Sequence, residues 1–318
     1  MSNTVTFPGL GLKFTMDRVA FTVLGHPIYW YGIIIAGGFL LAVWFCYRRA
    51  ERFGVVPDSL IDMLLFAVPA AVIGARLYYI VYDLGRSDAF RNSDGSLNFG
   101  QMVRIWDGGL AIYGGVIAAV VTVWIFCRVR KVKVGAYLDV GAFGLLIGQA
   151  VGRWGNFVNV EVFGYETTLP WRMGVNVWDP ATLQYVYQEV HPTFLYESLW
   201  NLVGLGVLTL IAKRDWRKFD GQLFLTYVLW YGVGRAWIEG MRQDYLPFFG
   251  LELFGAPVRV SQVLAVLFAL TALGLLVYHL AVRKHSPEEL FVNQQAEKKA
   301  VPGEGDDLDK AQENSVKL

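Results

Sequence analysis

Arg76, Arg153 and Arg235 fall within stretches otherwise apolar enough to cross a bilayer, and that placement marks where chemistry should be sought. A charged side chain inside a span costs roughly 2.5–3.5 kcal/mol on insertion, so each of these needs an anionic partner or a ligand. Arg153 is followed by Asn156, Asn159 and Glu161, and the three-residue steps put Arg153, Asn156 and Asn159 on one helix face. A guanidinium beside two carboxamides offers many donors and no anion of its own. Its planar fork matches the oxygens of a phosphate. Interhelical hydrogen bonding is the plainer use of such groups and accounts for some of them, but not for three arginines from three segments. Tyr231, Arg235, Glu239 and Arg242 step along one face as well. Glu239 and Arg242 read as an ion-pair ladder at a helix end, whereas Arg235, nearly two turns deeper, reads as functional. His191 and Glu197 open another apolar segment, and Tyr31 and Tyr113 lie near the starts of two more.

Other chemistries are excluded by what is missing. The chain has four histidines and no HExxH, CxxC or paired-histidine spacing, so no metal site and no cofactor are expected. No phosphate-binding glycine loop follows a strand, no strands are evident, and no serine nucleophile elbow is present. Cys46 and Cys127 fall at helix ends and read as reduced thiols. A net charge of +1 argues against nucleic acid as a partner.

The elements that position these residues are apolar helices. Hydrophobic residues make up 55% of the 318-residue chain and charged residues 17%, and the apolar ones collect into long runs as in a polytopic membrane protein. The expected fold is all-α, with seven transmembrane helices near 28–47, 59–83, 107–126, 136–154, 193–212, 221–240 and 259–282. The fourth is the most interrupted by glycine and polar residues. Basic clusters follow the first, third, fifth and seventh spans (Arg48, Arg49 and Arg52; Arg128 to Lys133; Lys213 to Lys218; Arg283 and Lys284). Alternate loops share a side, which the positive-inside rule makes cytoplasmic, with the N-terminus outside and the C-terminus inside. The first run is too long for a signal-peptide core, so the first helix is expected to be its own insertion signal.

This topology brings Arg76, Arg153, Asn156, Asn159, Glu161, His191, Glu197, Arg235, Glu239, Tyr31 and Tyr113 into the outer half of the bilayer. Residues 1–284 read as one catalytic transmembrane domain, and 285–318 as a disordered cytoplasmic tail. The aromatic loop at 155–192 either gates a substrate or lies on headgroups.

At this point the motifs form a pattern. The run GRWGNFVNVEVFG (152–164), with YWYG (29–32), GARLYY (74–79), WDGGLAIYGG (106–115), HPTFLYE (191–197) and YGVGRAWIEGMRQD (231–244), resembles the phosphatidylglycerol–prolipoprotein diacylglyceryl transferases of bacterial inner membranes. The resemblance extends to about residue 284. It implies transfer of the diacylglyceryl group from phosphatidylglycerol to the lipobox cysteine thiol of a prolipoprotein. The products are a thioether and glycerol 1-phosphate, and this is the first step of lipoprotein maturation. It implies catalytic roles for Arg153, Arg235, Tyr31, Tyr231 and Glu161, and phosphatidylglycerol binding by Arg153, Asn156, Asn159, Gly164, Arg235 and Arg76. Tyr113, His191, Glu197 and Glu239 match further motif positions. Some members carry histidine where this chain has Tyr113, so the thiol proton is left to Glu161, to Tyr113 or to water. The competing reading, a transporter or channel for an anionic solute, predicts polar residues through both leaflets. Asp62 and Asp139 look isolated instead.

Overall fold

A computed structural model describes residues 2–300 except 85, 88, 93, 181, 244–246, 254 and 255. The chain is mostly helical, and six helices are long and apolar enough to cross a membrane: Trp30–Phe53, Pro57–Asp83, Ile112–Val129, Val134–Asn159, Thr193–Lys213 and Val260–Val282. The remaining expected span, Gln222–Gly240, also forms a 19-residue helix, but Arg235, Glu239 and its glycines and aromatics leave it less apolar than those six. The principal helices are α1 (Trp30–Arg49), α2 (Pro57–Asp83), α4 (Ile112–Val129), α5 (Val134–Asn159), α6 (Thr193–Lys213), α7 (Gln222–Gly240) and α8 (Val260–Val277), with a short α3 (Phe99–Met102) before α4. Helix α5 packs against α1, α6 and α7, while α2 packs on α4 and α7 on α8. Gly74 and Gly114 meet where α2 crosses α4, and a Cβ on either would run into the other's carbonyl oxygen. This backbone approach is one that only glycine permits.

The two acidic residues that look isolated in the sequence are structural. Asp139 on α5 accepts the N–H groups of Gly221 (2.9 Å) and Phe224 (3.0 Å), capping α7 from a neighbouring helix. Asp62 pairs with Arg130 at 3.1 Å. Cys46 and Cys127 are buried and unpaired with each other.

Two expectations are corrected. No strands are evident in the sequence, but beside the expected all-α set of apolar helices, residues expected to be loops form short strands. β1 (Ser2–Phe7), β2 (Leu12–Asp17), β5 (Met173–Asp179) and β6 (Gln184–Val190) make an antiparallel sheet of order β2-β1-β5-β6. Hairpins β3–β4 (Val19–Val23, His26–Tyr29) and β7–β8 (Pro247–Leu253, Ala256–Arg259) precede α1 and α8. The sheet buries Val5, Phe7, Met173, Val175 and Val190 against Phe194, with Phe157 packed alongside. Residues alternate between that face and a polar one carrying Thr4 and Thr6. The tail is corrected too. Helix α9 (Phe291–Ala300) docks through buried Phe291, whose N–H bonds Asp220 Oδ2 at 2.9 Å. Residues 301–318 lie outside the described ones.

Candidate active site

The arginines from α5 and α7 meet on a carboxylate from α6. Glu197 Oε2 lies 2.5 Å from Arg153 Nη2, and Glu197 Oε1 lies 3.4 Å from Arg235 Nη1. Arg235 Nη2 also pairs with Glu239 Oε2 at 2.7 Å, and Arg242 reaches the same oxygen at 3.4 Å. Ser261, at the start of α8, donates to Glu239 Oε1 at 2.7 Å. Four helices therefore converge on one charge network. Its carboxylates are almost closed off (side chains of Glu197 and Glu239 5% and 4% exposed), while Arg153 and Arg235 remain 19% and 17% exposed. The cations face outward from anions held behind them. Breaking such a buried pair by removing one partner costs about 3–5 kcal/mol, so Glu197 fixes the two forks firmly. Arg153 has an anion after all, supplied by a residue 44 positions away, which its local spacing does not reveal.

The second half of the site is the C-terminus of α5. Arg153 Nη1 donates to Asn156 Oδ1 at 3.5 Å, and the amides of Asn156 and Asn159 donate to Glu161 Oε1 at 2.9 and 3.3 Å. Glu161 is exposed. The chain turns there through two β-branched residues in the left-handed region, Val160 at φ 53° and Val162 at φ 59°. Such residues rarely adopt it, and strain of this kind persists only where surroundings enforce it. Here they do: Thr193 Oγ1 donates to Val162 O, and Gly164 N–H to His191 O at 3.0 Å. Tyr165 N–H reaches Met241 O at 2.7 Å. The strained turn points the Glu161 carboxylate back at the two asparagines.

The remaining expected residues divide. Tyr31 packs its ring against Gly155 on α5 and lines an open groove with Asn159 and Arg18. Tyr231 stacks on Tyr227, one turn below Arg235. His191 Nδ1 lies 3.2 Å from Tyr196 Oη, which also accepts Trp171 Nε1–H at 2.8 Å. Burial lowers the His191 pKa from its ordinary value. Gly164 sits under His191, where a Cβ would come within 2.7 Å of the His191 Cβ, so it shapes the loop.

Arg76 is not part of the network. Its guanidinium donates to five backbone carbonyls: Met102 (2.8 Å), Gly108 (2.6 Å), Gly109 (2.9 Å), Gln101 (2.8 Å) and Arg104 (3.0 Å). A guanidinium has five N–H donors, so none is left for a phosphate. Tyr113 is exposed on α4, whose main packing partner is α2. Two contributors went unnoticed in the sequence. Arg18 carries no local signal for a role at the α5 terminus, and Ser261 is one small residue at the start of the most apolar helix.

The family model described as prolipoprotein diacylglyceryl transferase matches residues 18–278. Curated relatives named phosphatidylglycerol–prolipoprotein diacylglyceryl transferase are similar over most of their length. The protein from Lactiplantibacillus plantarum is 40% identical over 275 residues, 86% of this chain and 91% of the relative. That from Bacillus cereus is 41% identical over 259 residues (81% and 90%), and that from Pediococcus pentosaceus 38% over 282 (88% and 96%).

Proposed function

The chain belongs to the prolipoprotein diacylglyceryl transferase family, and from that membership we propose that its two network arginines hold the phosphate that leaves during transfer. The enzyme moves the diacylglyceryl group of phosphatidylglycerol to a prolipoprotein, with the lipobox cysteine thiol as acceptor. The thiolate sulfur attacks the glyceryl carbon, the C–S bond forms, and the bond from that carbon to the phosphate oxygen breaks. Glycerol 1-phosphate departs with the electron pair. A phosphodiester with one negative charge becomes a phosphate monoester with up to two, so charge grows on phosphate oxygens through the transition state. Donors aimed there bind the transition state more tightly than the ground state.

The observation that carries this reading is the Arg153–Glu197–Arg235 bridge, with both guanidiniums more exposed than the carboxylates that anchor them. Asn156, Asn159 and Gly164 shape the headgroup pocket, and Tyr31 and Tyr231 flank it. Of the groups that could take the thiol proton, Glu161 has the best support. It is exposed, and its Oε1 is held by two amides. Tyr113 stands exposed on α4, which packs mainly on α2. The role given to Arg76 changes in this reading, from phosphate ligand to a clamp on residues 101–109. The anion-transporter reading has no support in this family assignment.

We further propose that α7 is the seventh span and that residues 1–284 form the catalytic unit. The N-terminus then lies outside the cytoplasmic (inner) membrane, and the site faces its outer leaflet. The basic clusters after α1, α4, α6 and α8 support that orientation. Purified enzyme in detergent, given phosphatidylglycerol and a lipobox peptide, should add a diacylglyceryl mass to a Cys peptide and none to its Ser twin. Release of glycerol 1-phosphate should match the mass gain. No transfer by folded enzyme would overturn the reading.

A further inference from the structure

Arg18 enters none of the steps above, yet it stands at the open end of the same polar track. It lies between β2 and β3, its carbonyl accepts the N–H of Trp30 at 3.0 Å, and it is thereby tied to the first residue of α1. Its Nη2 donates to the carbonyl of Asn159, the last residue of α5, at 2.7 Å. That bond has a plain structural use, since terminal helix carbonyls need donors and a cation favours a helix C-terminus. It engages only one of five N–H donors, however. The acceptor is neutral, and among the described residues Arg18 forms no ion pair.

The guanidinium borders a groove of about 570 Å3 that is open to the surface. Arg18, Tyr31 and Asn159 give it polar groups, and Pro27, Ile28 and Tyr29 give it apolar and aromatic ones. This is the lining expected for a lipid headgroup with the top of its acyl chains. From Arg18 the donors and acceptors run without a break: Asn159, Glu161, Asn156, Arg153, Glu197. An exposed cation thus precedes a half-buried one along a single track.

We propose that Arg18 forms an outer phosphate subsite, where the phosphate of a glycerophospholipid headgroup is held before it reaches Arg153 and Arg235, or where the product's phosphate pauses on leaving. This rests on the transfer reaction argued above. Arg18 is a binding residue in this scheme, and the bond-breaking step does not use it. A cation at the rim acts on capture, through attraction that salt screens, more than on chemistry.

The test is a series of Arg18→Lys, Arg18→Ala and Arg18→Glu variants of the full enzyme, assayed with phosphatidylglycerol in mixed micelles and a lipobox peptide. Thermal unfolding of each variant checks that the fold is kept. Arg18→Ala should raise KM for phosphatidylglycerol about fivefold, with kcat within about twofold, and the rise should shrink at high salt. Arg18→Lys should recover most of the loss, and Arg18→Glu should exceed Arg18→Ala. Inhibition by added glycerol 1-phosphate separates the sources. An unchanged inhibition constant assigns the subsite to the entering lipid, and a constant raised without a change in KM assigns it to the departing product. If neither constant moves, or if kcat alone falls, Arg18 only caps α5 and the proposal is overturned. Wild-type transfer in the same assay keeps that result separate from a failure of the reaction itself.

Discussion

Glu197 Oε2 lies 2.5 Å from Arg153 Nη2 and its Oε1 3.4 Å from Arg235 Nη1, so one buried carboxylate sets the separation of two guanidiniums from different helices. Without it the forks would repel and drift. Glu197→Gln keeps the shape and loses the charge, and it should lower kcat about 100-fold, the scale expected when catalytic groups shift by about an ångström. Glu197→Ala should also lower stability by about 3 kcal/mol or more, because two partly buried cations lose their common partner. Transfer rates beside thermal unfolding of both variants check this.

Arg153→Lys and Arg235→Lys should be nearly as damaging as the alanine variants, with losses in kcat of about 10²–10³-fold. An ammonium supplies charge to Glu197 but cannot bridge a carboxylate and a phosphate with one planar group. Full rescue by lysine at either position would show that charge alone suffices.

Arg76→Ala should behave in the opposite way. Its five carbonyl acceptors lie in residues 101–109, so its loss frees that segment and leaves carbonyls unpaired, at about 1–3 kcal/mol for each that stays buried. Thermal stability should fall while kcat per folded molecule changes less than about fivefold, far less than for Arg153. Unfolding curves paired with active-fraction-corrected rates would check this. A loss of kcat matching that of Arg153→Ala, in stable protein, would return Arg76 to the phosphate site.

The positions of Arg153 and Arg235, and the helices that carry them, were legible because apolar runs and charge placement are local properties of sequence. Glu197 was legible as one of the polar residues of the outer half but not as their partner, because it is joined to Arg153 by the packing of α6 on α5 and by no short spacing. Arg76 misled for a related reason. A buried arginine needs acceptors, and sequence cannot distinguish a ligand's oxygens from five carbonyls of a nearby loop. The strands were missed because β5 and β6 carry exposed aromatics, Trp178, Tyr185 and Tyr187, on the face away from their core. That blurs the apolar–polar alternation that signals a strand.

Gly164→Ala should impair the enzyme although Gly164 has no side chain to bind with. The new Cβ would come within 2.7 Å of His191 Cβ and 2.9 Å of Met241 O, and room can come only from moving the 162–165 segment that carries the strained turn at Glu161. Overpacking of this kind costs about 1–3 kcal/mol. Transfer should fall at least about tenfold, with a measurable drop in unfolding temperature; an unaffected variant would show that the turn is not held from this side.

His191 makes the stability of this corner depend on pH. His191 Nδ1 lies 3.2 Å from Tyr196 Oη, a contact that the ring can make as donor or as acceptor. Burial lowers its pKa below 6.5, so the unfolded chain takes up a proton at a higher pH than the folded one. The contribution of His191 is fully present above the unfolded value and is lost as pH falls through it toward the folded value. The unfolding temperature of the wild type should decline from about pH 7 to about pH 5, and part of that decline should vanish in His191→Gln, whose side chain does not titrate. Parallel curves for the two proteins would mean that the imidazole is equally basic in both states.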